Sequence, residues 1–175
     1  MQLEKYVHAL KHKHNDAFEA VYHETKHAVY AMILPIVKDR SLAEDAMQIT
    51  YIKMLENIYA YKPRYKFINW LLTIAKNTAL DIYRQRQKET NIDIQEADNL
   101  FVDARVSGEK TMEAAQYLEV LTDEEQQIVL LKVVAQRKHK DIAKLLNKPL
   151  GTITWMYAEA LKKMRHAGEV PRDET

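Results

Sequence analysis

The sequence predicts an all-α protein made of two small helical domains that a flexible acidic linker joins. The chain of 175 residues has only 3 glycines and 4 prolines, the residues that most often interrupt helices. Its apolar residues recur mainly at steps of three and four, the spacing of one helix face. Helix-start signals of the Ser/Thr-x-x-Glu type occur twice, at 41–44 and at 122–125.

The first domain is expected at 1–88 and should contain three long helices. Asn15 or Asp16 can cap the first of them, and Pro35 predicts a kink or an early end. The second should begin at Ser41, and the third should span about 67–87. The predicted buried side of the second helix consists of apolar residues at helical spacing: Leu42, Ala46, Ile49, Ile52 and Leu55 or Met54.

Charge divides the chain into three parts although the net charge is only +1. Residues 53–88 hold eight basic and two acidic residues, and residues 137–165 again hold eight and two. Between them, 89–113 hold seven acidic and two basic residues and lose helical periodicity. We therefore expect a linker at 89–111, a second domain at 112–168 and a tail at 169–175. Two basic domains predict two contacts with the phosphates of one nucleic acid.

The second domain ends in two helices joined by a tight turn. The run from Asn147 to Gly151 contains Pro149 and should end the first of these helices. Thr152 can cap the second helix, whose inner face would be Ile153, Met156 or Tyr157, Ala160, Leu161 and Met164. This is the helix-turn-helix pattern, in which the second helix enters the major groove of DNA. A helical hairpin inside any bundle has the same pattern, so the motif alone leaves both readings open.

Several classes of protein are disfavoured by what the sequence lacks. With no cysteine, neither a disulfide framework nor a thiolate metal site is expected. No apolar run reaches the roughly 20 residues of a membrane helix, and no signal peptide is visible, so we expect a cytoplasmic protein without membrane insertion. His23 and His27 with Glu24 match the H-E-x-x-H zinc motif, and Glu44 could add a ligand. Because Lys26 would oppose the metal, we expect no metal, no cofactor and no enzymatic activity.

Four segments resemble one family in its expected order. Ser41–Gln48 resembles an A-E-D-x-x-Q core, and Phe67–Asp81 resembles F-x-x-W-L-x-x-I-A-R-N-x-A-L-D. Asp141–Ala143 and Pro149–Ile153 resemble E-I-A and P-x-G-T-V. In these segments the chain is similar to bacterial sigma factors of the short extracytoplasmic-function (ECF) group. The matches touch most of 16–88 and 112–165.

The resemblance implies a protein that binds core RNA polymerase, directs it to promoter DNA and helps to open the duplex as a monomer within the holoenzyme. It implies polymerase contacts at Asp45, Gln48 and Ile52. It implies minus-10 contacts at Tyr61, Lys62, Arg64, Tyr65, Lys66, Asn69, Lys76, Asn77, Arg84 and Arg86. It implies minus-35 contacts at Lys138, Lys148, Thr152, Thr154, Trp155, Ala158, Glu159, Lys162 and Lys163. An anti-sigma factor is a candidate further partner.

Two questions stay open at the level of sequence. A transcription regulator that uses the helix-turn-helix without polymerase would explain the second domain equally well, although it would leave the basic, aromatic face at 61–86 unexplained. In the recognition helix, Met156 and Glu159 stand where the family often has arginine. Contacts of Trp155 or Ala158 with thymine methyl groups, or readout of DNA shape, are therefore favoured over bidentate guanine contacts.

Overall fold

The computed structural model describes residues 3–89 and 117–169, and within these ranges all regular structure is helical. A 3-10 turn at Leu3–Tyr6 leads into α1 (Val7–Lys11), α2 (Asn15–Val37), α3 (Arg40–Glu56), a second 3-10 turn at Ile58–Ala60 and α4 (Phe67–Glu89). The second range contains α5 (Asp123–Val133), α6 (His139–Leu146) and α7 (Leu150–Glu169). The all-α prediction is confirmed. The predicted linker and tail lie outside the described residues, apart from their first positions.

The N-terminal unit is a bundle of α2, α3 and α4, and α1 closes one end of it. Its core is apolar, and Leu10, Met32, Met54 and Leu71 are almost completely buried. One polar pair lies inside: the Thr25 hydroxyl donates to the Val21 carbonyl at 2.6 Å and is 2.8 Å from the Tyr51 hydroxyl. This bond ties α2 to α3, and burial raises the pKa of the Tyr51 phenol far above its ordinary value.

The helix starts differ from those that the sequence predicts. Asp39, and not Ser41, caps α3, because its carboxylate accepts from the Leu42 amide at 3.0 Å. The residue before α2 is His14, and neither Asn15 nor Asp16 forms the cap. The helix also continues through Pro35 and ends at Val37, and the following C-cap residue, Lys38, has a left-handed φ of 53°.

The buried side of α3 agrees with the predicted one only in part. Ala46 and Met54 are buried as predicted, and Leu42 is partly buried. Ala43, Thr50 and Tyr51 complete the buried side. Ile49, Ile52 and Leu55 are exposed, so the prediction for Ile49 and Ile52 was wrong.

The C-terminal unit packs α5, α6 and α7 around Ile128, Ile142 and Ile153. The predicted capping box is confirmed: Thr122 and Glu125 exchange backbone and side-chain hydrogen bonds at the start of α5. Helix α6 ends at Leu146, and the following C-cap residue, Asn147, has a left-handed φ of 54°. Helix α7 already begins at Leu150, so Thr152 lies inside the helix and does not cap it. The two helices and their tight turn match the predicted helix-turn-helix.

The two units pack against each other, which the sequence did not predict. Ile128 and Leu131 of α5 belong to the same buried apolar cluster as Met32 of α2. The Gln127 amide nitrogen lies 3.3 Å from the Met32 carbonyl oxygen, and the ammonium of Lys38 lies 2.5 Å from the carboxylate of Asp123. The described helices therefore form one packed body, in which α5 covers part of α2.

Candidate nucleic-acid and partner interfaces

Helix α3 presents an apolar row to solvent. Ile52 is 56% exposed, and Ile49 and Leu55 lie three residues to either side of it with 38% exposure each. Asp45 and Gln48 are exposed one turn earlier on the same helix. A row of large exposed aliphatic residues with polar neighbours is a surface suited to binding another protein. The sequence pattern placed Ile49 and Ile52, and Leu55 as an alternative to Met54, on the buried side. Only the family resemblance indicated a contact at Ile52, and Ile49 and Leu55 were missed.

The loop at 61–66, between α3 and α4, contains one aromatic residue that supports it and one that is accessible. Tyr61 is only 3% exposed, and its hydroxyl donates to the Tyr65 carbonyl at 2.5 Å. Its ring packs against Phe67 and Trp70, with centroids 5.3 and 5.4 Å away. Tyr61 therefore holds the loop in place, and its ring has no free face for a base.

The rest of the loop is open. The Tyr65 ring is 56% exposed, and the guanidinium carbon of Arg64 lies 4.9 Å from its centroid. Lys62 and Lys66 are exposed on either side. Exposed cations around an aromatic ring suit a single strand, because the cations attract the phosphates while the ring stacks on an unpaired base.

The polar side of α4 extends this surface, but the residues predicted there to contact the minus-10 element do not all lie close together. Asn77 is exposed, while the Oδ1 atom of Asn69 is buried and has no hydrogen-bond partner among the described residues. Arg84 lies 3.9 Å from Asp81, and Arg86 lies 3.4 Å from Asp39, the cap of α3. At 1.5 Å per residue these two arginines lie roughly 20–25 Å along the helix from Asn69. They can contact phosphates only at a distance from the loop.

Lys76 connects this surface to the other unit. Its ammonium donates to the Leu145 carbonyl, near the end of α6, at 2.8 Å. Burial at this contact lowers the pKa of Lys76. Beside it, α6 and the loop enclose a cleft of about 480 Å³. The cleft has a basic lining on both sides, with aromatic and polar residues between: Arg64, Tyr65, Lys66, Asn69, Trp70, Thr73, Lys140, Asp141, Lys144 and Leu145.

Helix α7 exposes one side of its first two turns. Trp155 is 63% exposed and Leu150 is 51% exposed, and the smaller Thr154 and Ala158 are exposed between them. Thr152 and Glu159 are partly covered. The sequence missed Leu150 because it placed that residue in the turn. His139 of α6 packs edge-on against Tyr157, 5.1 Å between ring centroids, and so fixes α6 against α7.

Three of the predicted cations at this helix have carboxylate partners. Lys148 lies 3.0 Å from Glu124, and Lys162 lies 2.5 Å from Glu159. Lys163 donates to both carboxylate oxygens of Glu125 at 2.8 Å. Lys138 is exposed at the residue before α6.

Neither a metal site nor a membrane helix is found in the described ranges. His23 and His27 are exposed, whereas Thr25 between them is buried. No group of three His, Cys, Asp or Glu side chains is placed to hold a metal ion in 3–89 or 117–169. Within the same residues, no helix has both the length and the apolarity needed to cross a bilayer.

Comparison with known proteins gives matches along most of the chain. The sequence profile described as Sigma-70 region 2 matches residues 21–89, and the one described as Sigma-70, region 4 matches 111–164. The ECF RNA polymerase sigma factor SigK of Mycobacterium tuberculosis is 24% identical over 162 residues, which are 88% of this chain and 87% of SigK. SigX of Bacillus subtilis, also an ECF RNA polymerase sigma factor, is 24% identical over 170 residues, 91% of this chain and 87% of SigX.

Two solved structures share the fold. The sigma factor RpoE of Bartonella quintana, in complex with the anti-sigma factor NepR, superposes with a TM-score of 0.70 at 19% identity, over 91% of this chain and 100% of RpoE. CnrH, in complex with the cytosolic domain of CnrY, superposes with a TM-score of 0.65 at 16% identity, over 92% and 93% of the two chains.

Proposed function

The chain belongs to the sigma-70 family of RNA polymerase sigma factors. We propose that it is an ECF-type sigma factor and assign each of its binding functions to a surface described above. Such a protein binds core RNA polymerase, directs it to promoters and promotes DNA opening. We assign polymerase binding and the minus-10 element to the N-terminal unit at 1–88. We assign the minus-35 element to the unit at 112–168, with the acidic segment at 89–111 as the connection.

The polymerase surface is the exposed row of α3, and this row is the observation that carries the proposal. Ile49, Ile52 and Leu55 are large aliphatic residues that keep 38–56% of their surface exposed in the described part of the chain. Exposed apolar residues grouped on one helix face are typical of a protein-binding surface. Asp45 and Gln48 add polar contacts beside the row. Burying such aliphatic residues against a partner helix would supply the central contacts of an interface, while the polar residues would lie at its rim.

The minus-10 surface is the loop at 62–66 together with the polar side of α4. Lys62, Arg64 and Lys66 would hold the backbone of the separated strand, and Tyr65 would stack on an unpaired base. Asn77 can pair with a base edge. Arg84 and Arg86 would contact phosphates further along the duplex. We leave Tyr61 out of the contact set, since its buried ring supports the loop.

The minus-35 surface is the first half of α7. In a helix-turn-helix the N-terminal residues of the second helix meet base edges in the major groove. Here those residues include Thr154, Trp155 and Ala158, and Lys138 lies nearby to bind a phosphate. We propose that Lys163 supports the fold through Glu125 and does not contact DNA directly.

Run-off transcription with bacterial core RNA polymerase on a pool of genomic promoter fragments tests the role. We expect transcripts that require the chain, and an Ile52→Glu variant should lose them. Tight sequence-specific binding of the free chain to duplex DNA, without chain-dependent transcripts, would instead establish a stand-alone regulator.

The proposal extends to partners and location. We propose that the chain acts as a monomer within the holoenzyme, without catalytic activity of its own, in the cytoplasm where polymerase and the chromosome meet. An anti-sigma factor is a further candidate partner. Pull-down of core polymerase from an extract with the wild-type chain, and its loss with Ile52→Glu, would test the principal partnership independently of transcription.

A further inference from the structure

We infer that α7 recognises thymines in the minus-35 element through their methyl groups, with Leu150 and Trp155 as the residues that determine specificity. This inference rests on the proposed function. It starts from the side of α7 that is free of the bundle. Leu150 and Trp155 form the two edges of that side, and Gly151, Thr154 and Ala158 lie between them.

The residues between the two edges are small, so the helix can approach base edges closely. A Cβ atom added at Gly151 would meet no other atom within 4 Å, which places this position in open space. Leu150 and Trp155 project further and would reach the neighbouring base pairs. The exposed side of α7 thus has large apolar side chains at its two edges and small residues between them. This shape fits a major groove whose base pairs carry apolar groups.

The same side offers few hydrogen-bond donors. Lys148 precedes the first two turns of α7 and Lys162 follows them, and they lie in surface ion pairs with Glu124 and Glu159. The Thr154 hydroxyl donates to the Leu150 carbonyl at 3.0 Å. The indole N–H of Trp155 is a single donor, which cannot satisfy both acceptors of a guanine. Bidentate guanine recognition by arginine or lysine is therefore disfavoured in these two turns.

Thymine presents the one apolar group in the major groove, its 5-methyl, and leucine and tryptophan side chains complement it. This separates the inference from readout of DNA shape, which does not require contact with the methyl group. Uracil pairs like thymine but lacks the methyl. Replacement of thymine by uracil therefore removes the proposed contact and leaves the base-pairing pattern unchanged.

The test uses holoenzyme and a promoter obtained by run-off transcription. Each thymine of the minus-35 element is replaced singly by deoxyuridine, and the holoenzyme concentration for half-maximal open complex is measured. We expect about a fourfold increase at each contacted position, because burial of one methyl group is worth about 0.8 kcal/mol. Trp155→Ala and Leu150→Ala should each abolish the uracil effect at a different position. Leu161 is exposed about three turns after Leu150 on α7 and serves as the control position. The Leu161→Ala variant should show the same uracil effects as the wild type.

Unchanged half-maximal concentrations for every uracil promoter with the wild-type chain would overturn the inference. Retention of all uracil effects by both Trp155→Ala and Leu150→Ala would also overturn the assignment of residues. The wild-type experiment needs no variant, so misfolding of a variant cannot obscure it. A chain that supports no specific transcript would instead refute the proposed function, and the inference with it.

Discussion

Replacement of Lys163 by methionine tests whether this residue stabilises the fold or contacts DNA. Lys163 forms, with Glu125, the most buried ion pair among the described residues 117–169 of the C-terminal unit. The Glu125 side chain is 8% exposed and that of Lys163 is 43% exposed. Exposed pairs contribute about 0.2–1 kcal/mol, and breaking a fully buried pair costs about 3–5 kcal/mol. Because water screens the half-exposed ammonium, we expect Lys163→Met to lower the free energy of unfolding by about 1–2 kcal/mol. For a chain of this length that is a fall in Tm of about 2–8 °C.

The loss should depend on pH in a defined direction. Burial alone would raise the pKa of Glu125, but hydrogen bonds from Lys163 and Thr122 outweigh it and hold the pKa below the ordinary value of 4.5. A carboxyl whose pKa is lower in the folded state stabilises the fold above its unfolded pKa, and this stability is lost as pH falls through the folded pKa. The difference between wild type and Lys163→Met should therefore be complete at pH 7 and shrink below about pH 4.

Thermal unfolding followed by circular dichroism at pH 7 and pH 3.5 measures both effects. Lys162→Met is the matched control, because Lys162 pairs with Glu159 on the surface and its loss should cost under about 0.5 kcal/mol. If Lys163→Met melts like the wild type but loses run-off transcription, Lys163 contacts DNA and the structural reasoning is wrong.

Three further substitutions test other parts of the molecule. Tyr51→Phe removes the hydroxyl that meets Thr25 and should lower the free energy of unfolding by about 1 kcal/mol in urea titrations, whereas no change would show that this bond between α2 and α3 adds no stability. Ile52→Glu should weaken binding to core polymerase at least about tenfold without a change in Tm, while Tyr83→Ser, an exposed control on α4, should bind normally. Lys76→Met removes the bond to the Leu145 carbonyl and should lower the free energy of unfolding by about 1 kcal/mol in urea titrations. An unaltered free energy of unfolding would mean that this bond does not help to hold the units together.

Local signals predicted local structure well. The helix from Phe67 and the capping box of Thr122 and Glu125 follow from residues within a few positions of one another, and both are confirmed. Prediction failed for part of α3. Ala46 and Met54 were placed correctly on the buried side, but Ile49 and Ile52 were not, because apolar residues surround much of this helix and only packing against the other helices selects the buried ones.

Side-chain partners distant in sequence account for the other differences. Glu125 lies 38 positions from Lys163, and Leu145 lies 69 positions from Lys76, so no local pattern could show that these lysines are engaged. Tyr61 looked accessible because its loop is polar, yet Phe67 and Trp70 cover its ring. The contact residues proposed for polymerase and DNA stay predictions until the variants above are measured.

The bond between Lys76 and the Leu145 carbonyl also links the proposed binding of a single strand to the packing of the two units. One of the three ammonium N–H groups of Lys76 is held by this carbonyl, so a phosphate can bind only to the remaining donors while α6 lies on α4. If a strand requires all of them, the two units must first separate, and the apparent affinity is then the intrinsic affinity multiplied by the fraction of separated chains. The row of Ile49, Ile52 and Leu55 on α3 is exposed in the packed arrangement, so the proposed polymerase surface is accessible before any such separation.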